Sequence, residues 1–171
     1  MARDLAIDYL QSCAQNAIVI SFGDNDTYPL WYAQEVEGIR RDIRVINSSL
    51  LGTDWYIKQL RYKVNESDPI DPIWTANQIE GSNRDAIVYY PRPGIDQTKY
   101  MDLYTVMKDW AGSDDPAKME QGRDGNMLNI YPTKKVSVPV DINVVRQNGT
   151  VNATDSVLSS VDFDIPKGRD L

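Results

Sequence analysis

Ala17-Ile-Val-Ile-Ser-Phe-Gly-Asp-Asn-Asp-Thr27 is the stretch that carries the strongest fold signal in the sequence. Its first six residues form an apolar, β-branched run, which is typical of a short core strand. Gly23 ends this run, and Pro29 and Gly38 then mark the first turn and the end of a helix over residues 28–37. The stretch therefore predicts a strand, a polar loop and a helix in succession.

The same unit occurs a second time downstream. Ile43 to Ile46 has the composition of another strand, and Thr53 or Asp54 can cap a helix that runs to about Lys63. Strands that alternate with helices pair in parallel through right-handed crossovers. The sequence therefore predicts a three-layer, Rossmann-like α/β fold, in which a mostly parallel sheet has helices on both faces.

The remaining segments predict further elements around this centre. A helix over residues 4–15 precedes the first strand and places Cys13 on its buried side. The other predicted elements are a helical turn at 75–80, strands at 86–90, 127–131 and 135–140, a helix at 100–111, an exposed loop at 112–126, a short helix between Asp141 and Gly149, and a helix with an edge strand in the tail 155–171. The last of these form a short β-rich and helical C-terminal extension.

Composition limits the class of protein. A chain of 171 residues is long enough for one well-packed core, so we expect residues 1–171 to form a single soluble α/β domain. A net charge of -7, with no Lys/Arg run longer than two, disfavours nucleic acid as a partner. The longest apolar runs are far shorter than a membrane span, so we expect no direct membrane insertion.

The absence of histidine excludes the common hydrolase chemistries. The sequence contains no His and one Cys, which removes Ser-His-Asp and Cys-His catalysis and every zinc site built on imidazole. We therefore expect no catalytic residue, no cofactor and no bound metal in this chain.

Polar residues follow both predicted strands. Because the carboxyl ends of parallel strands meet at one edge of a sheet, the segments 24–27 and 47–53 should lie side by side. Two acids in the first segment would repel a phosphate, so the edge suits sugar hydroxyls or a hard cation. The alternative is purely structural, with Asp24 and Asn25 forming a turn while Asp26 or Thr27 caps the helix.

Trp31 and Trp55 lie near the starts of the two predicted helices that follow these segments. Their rings could stack on a pyranose face or on a partner chain, or they could simply pack in the core. The complete set of predicted ligand-binding residues is Asp24, Asn25, Asp26, Thr27, Trp31, Asn47, Thr53, Asp54 and Trp55. The charge run at residues 40–44 is predicted to be a solvated turn.

Several segments resemble a known family. They are Ala2 to Ala17, Gly23-Asp-Asn-Asp-Thr-Tyr-Pro-Leu-Trp-Tyr32, Gln34-Glu-Val-Glu-Gly38, Arg44-Val-Ile-Asn47 and Thr53-Asp-Trp-Tyr56, with Tyr131-Pro-Thr-Lys134 and Val138-Pro-Val-Asp141 as looser matches. Together they resemble DUF2723, a family of bacterial polytopic membrane proteins common in Bacteroidetes. That family is similar to protein O-mannosyltransferases of the GT-C type.

The resemblance implies a function. It covers the soluble part of such proteins only, which implies a non-catalytic accessory domain on the extracytoplasmic (periplasmic) face, tethered to the inner membrane. Its partners would be the membrane-embedded part of the same polypeptide and an acceptor protein or glycan. Two alternatives remain: a free-standing enzyme that holds Mg²⁺ or Ca²⁺ between Asp24 and Asp26, and a structural module in which these residues only cap a helix.

Overall fold

A computed structural model describes residues 1–81 and 84–166. These residues form two compact units. The first unit comprises Met1–Pro72 and Asn148–Thr150, and the second comprises Ile73–Gln147 and residues 151–166. That residues 1–171 form a single domain stays a prediction.

The first unit is built on a small parallel sheet. In chain order it contains α1 (Ala2–Gln11), β1 (Ile18–Ser21), α2 (Gly23–Glu35), β2 (Arg44–Asn47), a 3₁₀ helix (Ser48–Gly52) and α3 (Asp54–Gln59). β1 and β2 pair in parallel, with Ile18 opposite Arg44 and Ser21 opposite Asn47. The two predicted strands and their parallel pairing are confirmed. Gly38 lies past the end of α2 with φ of +69°, a conformation that glycine adopts without steric cost.

Two apolar clusters stabilise this unit. The larger one gathers residues of α1, α2 and the β1–β2 region, namely Ala6, Leu10, Val19, Leu30, Ala33, Ile43 and Val45. The smaller one joins Ile46 to Tyr56 and Leu60. Each fully buried aliphatic side chain contributes about 1.5–3 kcal/mol. Neighbouring residues of a strand point to opposite faces, so Val45 and Ile46 enter different clusters.

Arg40 and Asp42 do not form the predicted solvated turn. The Arg40 guanidinium donates to the carbonyl oxygens of Leu10, Cys13 and Ala14, each at 3.0 Å. It also makes a bidentate pair with the Asp42 carboxylate, at 2.9 Å for both contacts. A cation that satisfies the last carbonyls of a helix stabilises its C-terminal end, so Arg40 fixes the end of α1.

Arg44 is buried in the same charge run. Its guanidinium donates to Ser67 Oγ and to the carbonyl oxygens of Tyr62 and Asp68, each at 2.9 Å. Burial lowers the pKa of this guanidinium from its ordinary value. A charged group can be buried when its hydrogen-bond partners are fixed by the fold. The partners of Arg44 are distant in sequence, so the local sequence pattern did not indicate its burial. The prediction of a solvated turn at residues 40–44 is therefore wrong.

The second unit contains two three-stranded sheets. Its elements are α4 (Ala76–Ile79), β3 (Ile87–Tyr89), β4 (Met101–Asp102), α5 (Leu103–Thr105), a π-helix (Val106–Ala111), a 3₁₀ helix (Pro116–Lys118), β5 (Met119–Gln121), β6 (Met127–Tyr131), β7 (Lys135–Pro139), α6 (Ile142–Gln147) and β8 (Ser160–Asp164). The strand orders are β3-β6-β5 and β4-β7-β8. In each sheet the first pair is parallel and the second is antiparallel.

A partly buried tryptophan accompanies the π-helix. The Met107 carbonyl oxygen accepts from the Gly112 N–H at 2.9 Å, five residues on, and from the Trp74 indole N–H at 2.8 Å. A Cβ on Gly112 would lie 2.6 Å from the Trp74 ring, so this close approach requires glycine. The predicted helix at 100–111 thus begins later, at Leu103, and continues as a π-helix from Val106, in which the Met107 carbonyl oxygen also accepts from an indole.

The three-layer, Rossmann-like fold is contradicted. The described strands form separate sheets of two, three and three strands, and two of the pairings are antiparallel. After β2 the chain forms helices and a long connection, and its next strand, β3, pairs with β6 and not with β2. A βαβ pattern implies one continuous parallel sheet only when successive strands keep pairing in parallel, and here only β1 and β2 do so.

Two further predictions are corrected. The segment 112–126 is not a continuous loop, because it contains a 3₁₀ helix and β5. In the tail, β8 confirms the predicted edge strand, but residues 155–166 contain no helix. The end of the predicted tail, residues 167–171, lies outside the described residues.

Candidate functional site

The predicted polar loop after β1 is the first turn of α2. Gly23 has φ of +70°, and the helix starts directly at this residue. The residue before the helix is Phe22, whose side chain has no polar atom able to cap it. The prediction that Asp26 or Thr27 caps α2 is therefore wrong, and Pro29 lies within the helix and not in its first turn.

Thr27 is a buried structural residue. Its Oγ1 donates to the Gly23 carbonyl oxygen at 2.6 Å and lies 2.7 Å from Ser21 Oγ. The side chain is completely buried. Since its hydroxyl is used within the fold and is closed to solvent, Thr27 is unsuited to ligand contact.

The segments that follow β1 and β2 do lie side by side, as expected. Ser48 Oγ donates to the Ser21 carbonyl oxygen at 2.8 Å, and Asn47 Nδ2 lies 3.5 Å from Asp24 Oδ1. Asn47 itself is fully buried, and its Oδ1 accepts from the Ser49 N–H at 2.9 Å. Asn47 therefore has a structural role at this edge, whereas Asp24 is the exposed member of the pair.

Thr53 and Asp54 begin α3. Thr53 occupies the N-cap position, but its hydroxyl donates backwards to the Leu50 carbonyl oxygen at 2.7 Å and accepts nothing from the helix. Asp54 is the first residue of α3 and is half-buried. Neither residue lines either of the two grooves described below.

Trp31 and Trp55 lie in one groove together with two tyrosines. We call it the aromatic groove and define it by Tyr28, Trp31, Trp55 and Tyr56. Its volume is ≈ 620 Å³, which is within the range of small-molecule sites. Trp55 is 54% exposed, whereas Trp31 is half-buried and packs against both apolar clusters. The core-packing alternative thus describes Trp31 in part and Trp55 not at all.

The rings of the aromatic groove are in contact in pairs. The centroids of Tyr28 and Trp31 are 5.8 Å apart with an interplanar angle of 32°, and those of Trp55 and Tyr56 are 5.6 Å apart at 77°. Such contacts hold the ring planes in place, and Trp55, which is 54% exposed, is accessible to a flat apolar surface. A pyranose ring offers a surface of that kind.

Polar side chains flank these rings. Gln34 Nε2 donates to the carbonyl oxygens of Arg40 and Ile43, both at 2.8 Å, so its amide is used within the fold. Glu35 accepts from Asn65 Nδ2 and is exposed, as is Gln59. The aromatic groove therefore has one exposed carboxylate, of Glu35, and one exposed amide, of Gln59, in its lining. Sugar hydroxyls bind donors and acceptors of these kinds.

Two other residues of the predicted site belong to a different surface. Asn25 and Asp26 line a second groove of ≈ 360 Å³ that runs beside β1. The structure thus places the two tryptophans in one groove and Asn25 and Asp26 in the other, and the remaining predicted residues line neither groove. Within residues 1–81 and 84–166, no three Asp, Glu or Cys side chains are placed to hold a metal ion.

The second unit carries an aromatic surface that the sequence did not reveal as a cluster. Tyr89 and Tyr131 have ring centroids 5.6 Å apart, and Lys134 Nζ lies 4.7 Å from the Tyr89 centroid. Lys135 Nζ lies 4.7 Å from the Tyr100 centroid. Burial raises the pKa of Tyr131, with a smaller contribution from Tyr89. The feature of the sequence that could have indicated this cluster is the segment Tyr131 to Lys134, because it places Lys134 over the Tyr89 ring.

The comparisons with known proteins identify a family and no individual relative. The described residues form small sheets with helices and surface grooves, and they include no helix long and apolar enough to cross a bilayer. The family model of TMEM260-associated domain 2 matches residues 2–171, and the chain belongs to that family. No curated protein and no solved structure matches the chain. The membrane-protein association implied by the resemblance is thereby confirmed, and kinship to DUF2723 stays a prediction.

Proposed function

We propose that the chain is a non-catalytic, extracytoplasmic accessory domain of a membrane glycosyltransferase-like protein, and that its aromatic groove recognises glycan. The observation that carries this proposal is the exposed Trp55 ring, set beside Tyr56 in a groove with polar edges. Membership in a family of TMEM260-associated domains supports the link to a membrane protein. The O-mannosyltransferase character of the parent comes from the resemblance noted above.

The chemistry of the groove supports binding over catalysis. Glycoside cleavage uses a pair of carboxylates on either side of the scissile bond. The aromatic groove has one lining carboxylate, Glu35, and this group accepts a hydrogen bond from Asn65. The sequence supplies no histidine to act as a general base. In this proposal the membrane part of the same polypeptide performs transfer, and this domain holds the acceptor glycan or glycosylated segment.

Titration calorimetry tests this proposal. The chain would be titrated with mannose, mannobiose and mannotriose, with cellotriose as a matched oligosaccharide of different linkage and sugar. We expect binding that strengthens with chain length in the mannose series, because a longer oligosaccharide can contact more than one ring of the groove. Absence of heat for all sugars at millimolar concentration would refute the proposal.

A further inference from the structure

The outer edge of β1 is open. The Ala17 carbonyl oxygen accepts from the Arg44 N–H at 3.0 Å and so faces β2. Main-chain groups of a strand alternate in direction, so those of Val19 and Ser21 also face β2. The N–H and C=O groups of Ile18 and Ile20 therefore face away from it. Among the described strands β2 is the one neighbour of β1, so these four groups have no strand partner.

Apolar side chains surround this open edge. Ile18 is 55% exposed, Ile20 is 68% exposed and Phe22 is 80% exposed. Leu5 and Tyr9 of α1 are exposed as well, although other residues of the same helix are buried in the core. We call the cleft between these two sets the strand-edge groove, defined by Leu5, Tyr9, Ile20, Phe22, Asn25 and Pro29. Isolated exposed apolar residues are ordinary, but a contiguous patch along a free strand edge is typical of an interaction site.

One end of the strand-edge groove presents hydrogen-bond acceptors. Pro29 has no N–H, so the Asn25 carbonyl oxygen lacks the donor that a regular helix would give it four residues on. The exposed Asp26 carboxylate lines the same groove, and the described residues place no Lys or Arg within ion-pair distance of it. An acceptor carbonyl beside an unpaired carboxylate favours a cationic side chain.

We infer that the strand-edge groove binds an extended segment of another polypeptide, with apolar side chains at alternate positions and a Lys or Arg near one end. The segment adds a strand to β1, since only an extended backbone satisfies main-chain donors and acceptors spaced along a strand edge. Its apolar side chains cover Ile20 and Tyr9, and its cation reaches Asp26. The inference rests on β1 and its surroundings and does not depend on glycan binding in the aromatic groove.

Charge argues against a second copy of this chain as the occupant. The chain has a net charge of -7, so a pair of copies joined through β1 would bring two like-charged molecules together. Like charges at such an interface disfavour association. A basic, extended segment of a different protein meets the acidic end of the groove with opposite charge.

The test uses the complete chain and a short peptide. The probe is an acetylated and amidated heptapeptide in which valine alternates with threonine and lysine, and binding is followed by ¹⁵N chemical shifts. We expect shifts at Leu5, Tyr9 and residues 18–22. A peptide of the same sequence with N-methyl groups along one edge should not bind, because it cannot pair with β1.

Ile20→Pro is the sharpest variant. It removes an N–H that faces the open edge, and it leaves the hydrogen bonds between β1 and β2 in place, since edge strands tolerate proline at such positions. We expect peptide binding to weaken about tenfold or more, and Ile20→Val, which keeps the N–H, to weaken it less. Circular dichroism and the melting temperature establish that Ile20→Pro remains folded. Asp26→Asn should weaken the lysine peptide about three- to tenfold and leave a lysine-free peptide unaffected.

Several results would overturn the inference. They are equal binding of the peptide to the wild-type chain and to folded Ile20→Pro, shifts confined to the aromatic groove or the second unit, and no binding at millimolar peptide. Sedimentation that detects a dimer abolished by Ile20→Pro would assign the edge to a second copy instead. Absence of peptide binding to the wild-type chain, with sugar binding intact, would refute this inference alone.

Discussion

Tyr56 and Asn47 are joined by a hydrogen bond at the floor of the aromatic groove: the Asn47 backbone N–H donates to Tyr56 Oη at 2.9 Å, and both residues are buried. This bond attaches α3 to the last residue of β2. It also fixes the ring against which Trp55 packs edge-on. The position of the exposed indole therefore depends on a main-chain donor in the sheet.

Tyr56→Phe tests this attachment. The variant keeps the ring and leaves the buried Asn47 N–H without an acceptor, so we expect the free energy of unfolding to fall by about 1–3 kcal/mol. Urea denaturation measures the change. Tyr62→Phe removes a hydroxyl from an exposed ring in the same unit and serves as the control. Equal stability of the two variants would show that the bond does not hold α3.

Arg44→Lys tests the buried guanidinium. Lysine retains the charge but cannot reach Ser67 Oγ and the carbonyl oxygens of Tyr62 and Asp68 at once, because it lacks the planar fork of donors. We expect a loss of about 1–3 kcal/mol in the free energy of unfolding, measured by urea denaturation. Arg41→Lys, at an exposed position of the same run, should change it by less than about 0.5 kcal/mol.

Asp42 makes stability depend on pH. The bidentate hydrogen bonds from Arg40, helped by the Asn16 N–H, lower the pKa of the Asp42 carboxyl to about 2. Because the pKa in the folded chain is below that in the unfolded chain, this stability is present above about pH 4 and is lost as pH falls towards about 2.

Asp42→Asn isolates that contribution. At about pH 7 we expect the variant to be less stable by about 1–2 kcal/mol, and the difference from the wild-type chain should shrink between about pH 4 and about pH 2. Thermal unfolding across this range measures it, with Asp8→Asn on the exposed side of α1 as the control. A difference that does not vary with pH would rule out the Arg40 pair as its source.

Trp55→Ala separates glycan recognition from folding. The ring is more than half exposed, so its loss should leave the fold intact, and sugar affinity should fall about three- to tenfold. Trp55→Phe should retain part of that affinity, since a smaller ring still stacks. Tyr100→Ala removes an exposed ring of the second unit and is the matched control. If Trp55→Ala and Tyr100→Ala bound sugar equally well, the aromatic groove would not be the site.

The sequence indicated the structural features that depend on neighbouring residues, such as the positions of short strands. The β-branched runs at residues 17–22 and 43–46 and the apolar run at 127–131 contain strands, because such residues favour extended backbone over short stretches. The pairing of strands was not predictable in this way. β3 pairs with the distant β6, with Ile87 opposite Asn129, and no residue type in either strand specifies that partner.

The candidate site was predictable to a similar extent. Sheet topology correctly placed the segments after β1 and β2 side by side. It did not reveal that Gly23 starts α2 directly, which turns the polar loop into a helical turn and buries Thr27. The aromatic groove depends on how α2 and α3 pack, and this is a tertiary property that the spacing of the tryptophans does not contain.

Chemical-shift mapping with mannotriose on the ¹⁵N-labelled chain tests the central claim most directly. The account predicts that the indole signal of Trp55 and the backbone signals of Trp55, Tyr56 and Gln59 shift in a saturable manner. Signals of the strand-edge groove and of Tyr100 should not shift. Shifts confined to any other surface, or none at millimolar sugar, would contradict the assignment of the aromatic groove as a glycan site.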